Sequence, residues 1–124
     1  FAVAGAGGPI KVLPIEVQHG NITALGLRIT GEDDRAIVYL PDVNDIPDAA
    51  WPAIMDAEIF ICDALRRTPH PSHAHLDLTL GWIERSRARR GVITNMHIDL
   101  DYDEVMAETP DHVVPAHDGL VLTL

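Results

Sequence analysis

Two textures of apolar and polar residues follow one another along the chain. In the first, residues 11–17 and 24–30 are apolar and β-branched, and each run reads as a strand. His19-Gly20 closes the first run, and Gly31-Glu32-Asp33-Asp34 reads as a turn after the second. Ala36–Leu40 (Ala-Ile-Val-Tyr-Leu) is continuously apolar, as expected of a strand covered on both faces. The short connections predict an antiparallel meander of these three strands.

After Pro41-Asp42 the spacing changes. Residues 48–57 read as a helix with Pro52 in its first turn, where a missing N–H does little harm. Residues 59–62 read as a strand. In residues 75–89, Leu76, Leu80 and Ile83 fall at helical spacing, and arginines gather at the end, as the helix dipole favours. Residues 91–94 read as a strand and Tyr102–Glu108 as a short helix. Val113-Val114-Pro115, then residues 118–124, predict a terminal hairpin around Asp118-Gly119.

From Ala36 to Thr94 the order is therefore strand, helix, strand, helix, strand. Right-handed crossovers make those strands parallel, with their carboxyl ends on one rim. Asp42, Asp63 and the Asn95-Met96-His97 segment follow them there. Two reversals back through the meander put His19 at the same rim, where clefts of open α/β sheets form.

Composition narrows the classes. The chain has 124 residues, one domain or part of one, and its 47% hydrophobic and 23% charged residues suit a packed core. A net charge of −10 argues against a broad basic face for extended nucleic acid. A small anionic substrate stays compatible, because a cation inverts the local sign. No apolar stretch is long enough to cross a membrane. The single cysteine, Cys62, lies in an apolar run and reads as a buried small hydrophobe, so the expected setting is reducing and cytoplasmic. The first methionine is Met55, which predicts that the chain is a piece of a longer product.

Imidazoles and carboxylates at one rim suit Zn²⁺, Mn²⁺ or Fe²⁺, and a carboxylate can bridge two ions roughly 3.5–4 Å apart. His19 and Asp42 are the leading candidates. Each alone reads as a turn or loop-capping residue; together at one edge they read as ligands. Asp63, directly after a buried strand, needs a partner and is expected behind a ligand rather than on the metal. Residues 66–75 carry Arg66, Arg67, His70, His73 and His75, and read either as a solvated loop or as a site for a phosphoryl group or a proton donor. Asp99, Asp101 and Asp103 lack the glycine and distal glutamate of a calcium loop. His112 and His117 read as surface or packing residues.

Val17-Gln18-His19-Gly20, Tyr39-Leu40-Pro41-Asp42-Val43, Asp63-Ala64-Leu65-Arg66, His73 before a helix, and Thr94-Asn95-Met96-His97 occur in an order that resembles the C-terminal half of a metallo-β-lactamase-fold hydrolase. Within that fold the order resembles the branch of PhnP-type phosphoribosyl cyclic phosphodiesterases, which are similar to tRNase Z. The resemblance runs from about Ile10 onward. It implies an α/β fold, the C-terminal half of a four-layer αββα sandwich with a mixed sheet and outer helices. It also implies that the N-terminal half, with the family's His-x-His-x-Asp-His ligands and first sheet, lies outside this chain, leaving an apolar sheet face uncovered.

The resemblance further implies two divalent ions, Mn²⁺ or Zn²⁺, that acidify a water for attack on a small cyclic or nucleotide-like phosphodiester. Asp42 would bridge the ions, with His19 completing one set of ligands. His73 would stabilise phosphoryl charge or give a proton, with His75 as the competing alignment for that substrate-facing role. The family's last ligand is the histidine of a Thr-His pair, and Thr94-Asn95 stands there. Either His97, two residues on, reaches the metal, or the second ion is held more weakly; His97 is the expected ligand, with Asp63 and Asn95 behind the ligands. The expected partners are the small substrate and the N-terminal half, and a homodimer is left open. Two other readings stand beside this one: a thioester or lactone hydrolase on the same fold, and a metal-free interaction domain.

Overall fold

The computed structural model describes residues 1–124. Seven strands form one sheet in sequence order: β1 (Ala2–Val3), β2 (Ile10–His19), β3 (Ile22–Thr30), β4 (Ala36–Leu40), β5 (Ile59–Asp63), β6 (Arg90–Thr94) and β7 (Val113–Pro115). β1 to β4 are antiparallel neighbours, and β4 to β7 are parallel. The meander and the three parallel strands expected from the sequence are both present.

Strand alternation sorts the side chains. Ile15 and Val17 of β2, Val38 and Leu40 of β4, Phe60 and Cys62 of β5 and Ile93 of β6 share one face and are buried. Helices α1 (Trp51–Ile54) and α2 (Leu76–Ser86) supply Trp51, Ile54, Leu76, Trp82 and Ile83 to the same core. Helix α3 (Tyr102–Glu108) adds Val105. Two close approaches require glycine: a Cβ on Gly26 of β3 would meet Leu40 and lie 3.0 Å from the Tyr39 carbonyl, and one on Gly91 of β6 would lie 2.7 Å from Ile83. The opposite face carries Leu25 and Tyr39 exposed and Leu27, Ile37 and Ile61 half-buried, so it is apolar and largely uncovered.

Two elements differ from expectation. The helix expected over 48–57 is a 3₁₀ turn (Asp48–Ala50) followed by the single turn of α1. It stops because Met55 is extended and Asp56 takes a positive φ of 56°, handing its N–H to the Ser86 carbonyl. Arg28 of β3 then caps the end by donating to the carbonyls of Ala53 and Met55, 3.2 Å each. The terminal hairpin does not form. β7 extends the parallel sheet beside β6, and after Gly119 (φ 85°) the tail stays outside the ladder, where Leu120 and Leu122 line a pocket with Ile37, Ile59, Ile61 and Val92 of the apolar face.

Candidate metal centre

His19 ends β2, and Gly20 reverses the chain with φ 62°. The loop after β4 is fastened to this turn. Gln18 donates its N–H to the Asp45 carbonyl at 3.0 Å, Asn44 donates back to the Gln18 carbonyl at 2.9 Å, and the Asn44 side chain accepts from the Gly20 N–H at 2.7 Å. Those bonds carry Asp42 to His19 across the sheet. A third group, His73, enters from the loop before α2, and one ligand atom from each of His19, Asp42 and His73 lies within 4.8 Å of the others. Asp42 is exposed and both imidazoles are half-buried, so the three donors form an open rim site.

Each imidazole is oriented from behind. His19 Nδ1 donates to the Ser72 carbonyl at 2.7 Å; a carbonyl only accepts, so the lone pair resides on Nε2. His73 Nδ1 donates to Asp63 Oδ2, also at 2.7 Å, which leaves its Nε2 free in the same way. The two rings meet edge to face with centroids 4.6 Å apart. Metal-binding histidines characteristically have this support, the second ring nitrogen tied to a carbonyl or carboxylate.

Asp63 is the anchor of that support. Its side chain is 0% exposed and accepts from Val43 N–H at 3.2 Å and Asn95 Nδ2 at 3.2 Å in addition to His73. Thr79 of α2 donates its hydroxyl to the Asp63 carbonyl. Burial raises the Asp63 carboxyl above its ordinary value, and the bonds from His73, Val43 and Asn95 oppose that rise. Both residues expected behind the ligands, Asp63 and Asn95, thus lie together beneath His73.

Other candidates fall outside the group. His97 is 56% exposed, with Nδ1 3.4 Å from Asp99. Asn95 adopts a positive φ of 60° just after β6, the His97 N–H is bonded to the Leu65 carbonyl at 2.8 Å, and the His97 side chain is not among the three donors. His75 is the extended residue that opens α2, and its side chain is not among the three donors. The arginines of the loop are engaged structurally. Arg66 donates to the carbonyls of Thr68 (3.1 Å) and Pro69 (2.6 Å), and Arg67 forks onto Glu108 of α3 at 2.7 and 3.0 Å. His70, which sequence reasoning left within a polar loop, packs against His73 with ring centroids 5.3 Å apart. Desolvation, then the nearby Arg66 and His73, holds it below the usual imidazole range.

His19 and Asp42 offer the mixed imidazole and carboxylate donors that borderline divalent ions take, and His73 brings a second free imidazole nitrogen beside them. A family model described as the beta-lactamase superfamily domain matches residues 1–98. Among solved structures, one described as a new diphosphatase from the PhnP family is 32% identical with a TM-score of 0.87, covering 99% of this chain and 46% of its own. The short form of human tRNase Z is 18% identical with a TM-score of 0.72, covering 92% of this chain and 43% of that one. Zn²⁺-bound PqqB from Methylobacterium extorquens is 13% identical with a TM-score of 0.70, covering 100% of this chain and 53% of that one. No curated protein sequence matches the chain. The chain spans about half the length of these structures. It has the metallo-β-lactamase fold and belongs to the beta-lactamase superfamily.

Proposed function

We propose that this chain is the C-terminal part of a metal-dependent phosphodiesterase that acts on a small cyclic or nucleotide-like phosphodiester. The observation that carries the reading is the meeting of His19, Asp42 and His73 at one open rim, two of them with Nε2 left free by a fixed hydrogen bond. Support comes from the 32% identical structure described as a diphosphatase of the PhnP family, and the more distant tRNase Z shares its fold. The site is part of the proposal, as are two ions, Mn²⁺ or Zn²⁺, a cytoplasmic setting, and an N-terminal half that covers the apolar face around Leu25 and Tyr39.

Bound there, a divalent ion supplies positive charge to a phosphoryl oxygen and lowers the pKa of water. His19 offers its Nε2 as a donor and Asp42 a carboxylate with two oxygens able to bridge. His73 presents Nε2 beside them, where its N–H in the protonated form stabilises phosphoryl charge or passes a proton to the leaving oxygen. Asp63 holds that ring in one orientation and stabilises it when charged. The net charge of −10 disfavours extended nucleic acid and sets no obstacle to a small anion at the ion itself.

An assay of the full-length protein on bis-p-nitrophenyl phosphate, thioesters and lactones tests the substrate class. Phosphodiester turnover is expected to dominate. Turnover of thioesters or lactones without phosphodiester turnover would remove the proposal in favour of another hydrolase, and no turnover with no retained metal would favour an interaction domain.

A further inference from the structure

Ser72 orients two imidazoles in opposite senses. Its carbonyl accepts from His19 Nδ1 at 2.7 Å, which leaves the lone pair of that ring on Nε2. Its N–H donates to His70 Nδ1 at 3.3 Å, and its hydroxyl oxygen lies 3.4 Å from the same nitrogen. A backbone N–H only donates, so His70 Nδ1 is the acceptor and the proton of the neutral ring resides on Nε2. His19 and His73 thus present lone pairs at Nε2, whereas His70 presents an N–H. Both bonds of the His70 ring are made at Nδ1, and its Nε2 has no partner in the chain.

Sequence and fold together hold that ring in place. Pro69 and Pro71 flank His70; the first fixes its own φ, and the second keeps His70 extended. Arg66 braces the segment through the carbonyls of Thr68 and Pro69. The base of the loop is closed by Leu65 N–H on the Ala74 carbonyl at 2.9 Å and Leu76 N–H on the Arg66 carbonyl at 3.0 Å. A Cβ on Gly20 would lie 3.1 Å from that of Ser72, so the turn after His19 packs directly against the loop. The His70 ring is half-buried beside His73 and is not among the three clustered donors.

We propose that His70 is a substrate-binding residue whose Nε2–H donates to a phosphoryl oxygen held beside His73. The inference deepens the phosphodiesterase reading of this rim and rests on it. With Nδ1 engaged and Nε2 protonated, the ring has no free lone pair for a cation and is suited to an oxygen acceptor. The cations of the same loop are engaged elsewhere, Arg66 on backbone carbonyls and Arg67 on Glu104 and Glu108. Support of the loop through Ser72 uses Nδ1 alone, and an asparagine side-chain oxygen could accept that bond equally well. The N–H at the far end of the ring is what an imidazole adds. A hydrogen bond to a charged group is worth roughly 10–100-fold in affinity, which is the loss expected when that N–H is removed.

The test compares His70→Ala, His70→Asn and His70→Gln in the metal-loaded full-length protein. KM and kcat are measured on bis-p-nitrophenyl phosphate, the inhibition constant is measured for inorganic phosphate, and metal is counted in each variant. Asn retains an acceptor for the Ser72 N–H and lacks the distal donor, whereas Gln carries an amide N–H out to the position of Nε2. His70→Ala and His70→Asn are expected to weaken phosphate inhibition and raise KM by about tenfold or more, with a smaller change in kcat and metal content at the parent level. His70→Gln is expected to recover most of the loss. Recovery by Asn and not by Gln would reduce His70 to a support for the loop and overturn the proposal, as would parent-like phosphate inhibition in His70→Ala or loss of metal from it. If His70→Ala fails to fold, the Asn and Gln variants decide. An active parent matched by its His70 variants overturns this inference alone, whereas a parent without phosphodiester turnover removes both it and the proposed function.

Discussion

His73 Nδ1 lies 2.7 Å from Oδ2 of Asp63, a carboxylate with no solvent exposure, ten residues earlier at the end of β5. The bond crosses the loop that carries Arg66, His70 and Ser72, and so links a buried strand end to a side chain at the open rim. It fixes which nitrogen of His73 faces the site.

His73 is proposed to serve the phosphoryl group, and His19 and Asp42 the metal. His73→Ala is expected to lower phosphodiester turnover by about 10²–10⁴-fold, the usual range for a positioned acid or base, while metal content stays at the parent level. Steady-state kinetics together with a metal count check this. A variant that loses its metal as well would make His73 a ligand instead.

Asp63→Asn keeps the size of the side chain but removes its charge and leaves one acceptor oxygen for the three donors His73, Val43 and Asn95. Turnover is expected to fall by about 10–100-fold, in keeping with a group that orients another. The pH dependence of stability supplies a second readout. The folded protein holds the Asp63 proton more tightly than the unfolded chain, whose carboxyl titrates near 3.8. The contribution of that proton is complete below 3.8 and is lost as pH rises through the raised folded value. The urea midpoint of metal-free Asp63→Asn, relative to the parent, is therefore expected to improve between pH 4 and pH 7. A relative decline over that interval would mean that the carboxyl is lowered in the folded state.

Gly26→Ala tests the packing that sets the rim. The new methyl would press on Leu40, two residues before Asp42, and on the Tyr39 carbonyl 3.0 Å away. Overpacking of this kind costs about 1–3 kcal/mol, read as a lower denaturation midpoint. Gly81→Ala, where a Cβ meets nothing within 4 Å and the helix gains an alanine, is expected to raise the midpoint slightly.

The parts of the fold legible in the sequence are those written in local periodicity. Ala36–Leu40 and Ile59–Cys62 are continuously apolar, and their parallel order puts Asp42 and Asp63 at one rim, although Tyr39 is exposed and β4 is covered on one face only. The terminal hairpin was misread because Asp118-Gly119 is a turn signal that says nothing about which strand has a free edge. β6 offered one, and Val113–Pro115 took it in parallel register. The ligand role expected of His97 failed to account for a backbone detail. Asn95 turns the chain at φ 60° and the His97 N–H bonds to Leu65, and neither is visible in residue types. The placement of His19 and Asp42 at one rim follows from strand ends alone. Their fastening through Gln18, Asn44 and Asp45 depends on side-chain and loop hydrogen bonds that only the folded chain displays.

The most direct measurement of the central claim is hydrolysis of bis-p-nitrophenyl phosphate by the full-length protein after chelation and readdition of Mn²⁺ or Zn²⁺, in parallel with Asp42→Ala. Activity is predicted to vanish with the chelator, to return with the ion, and to remain absent in Asp42→Ala at any metal concentration. Undiminished hydrolysis by the chelated protein, or restoration of Asp42→Ala to the parent rate, would contradict the account.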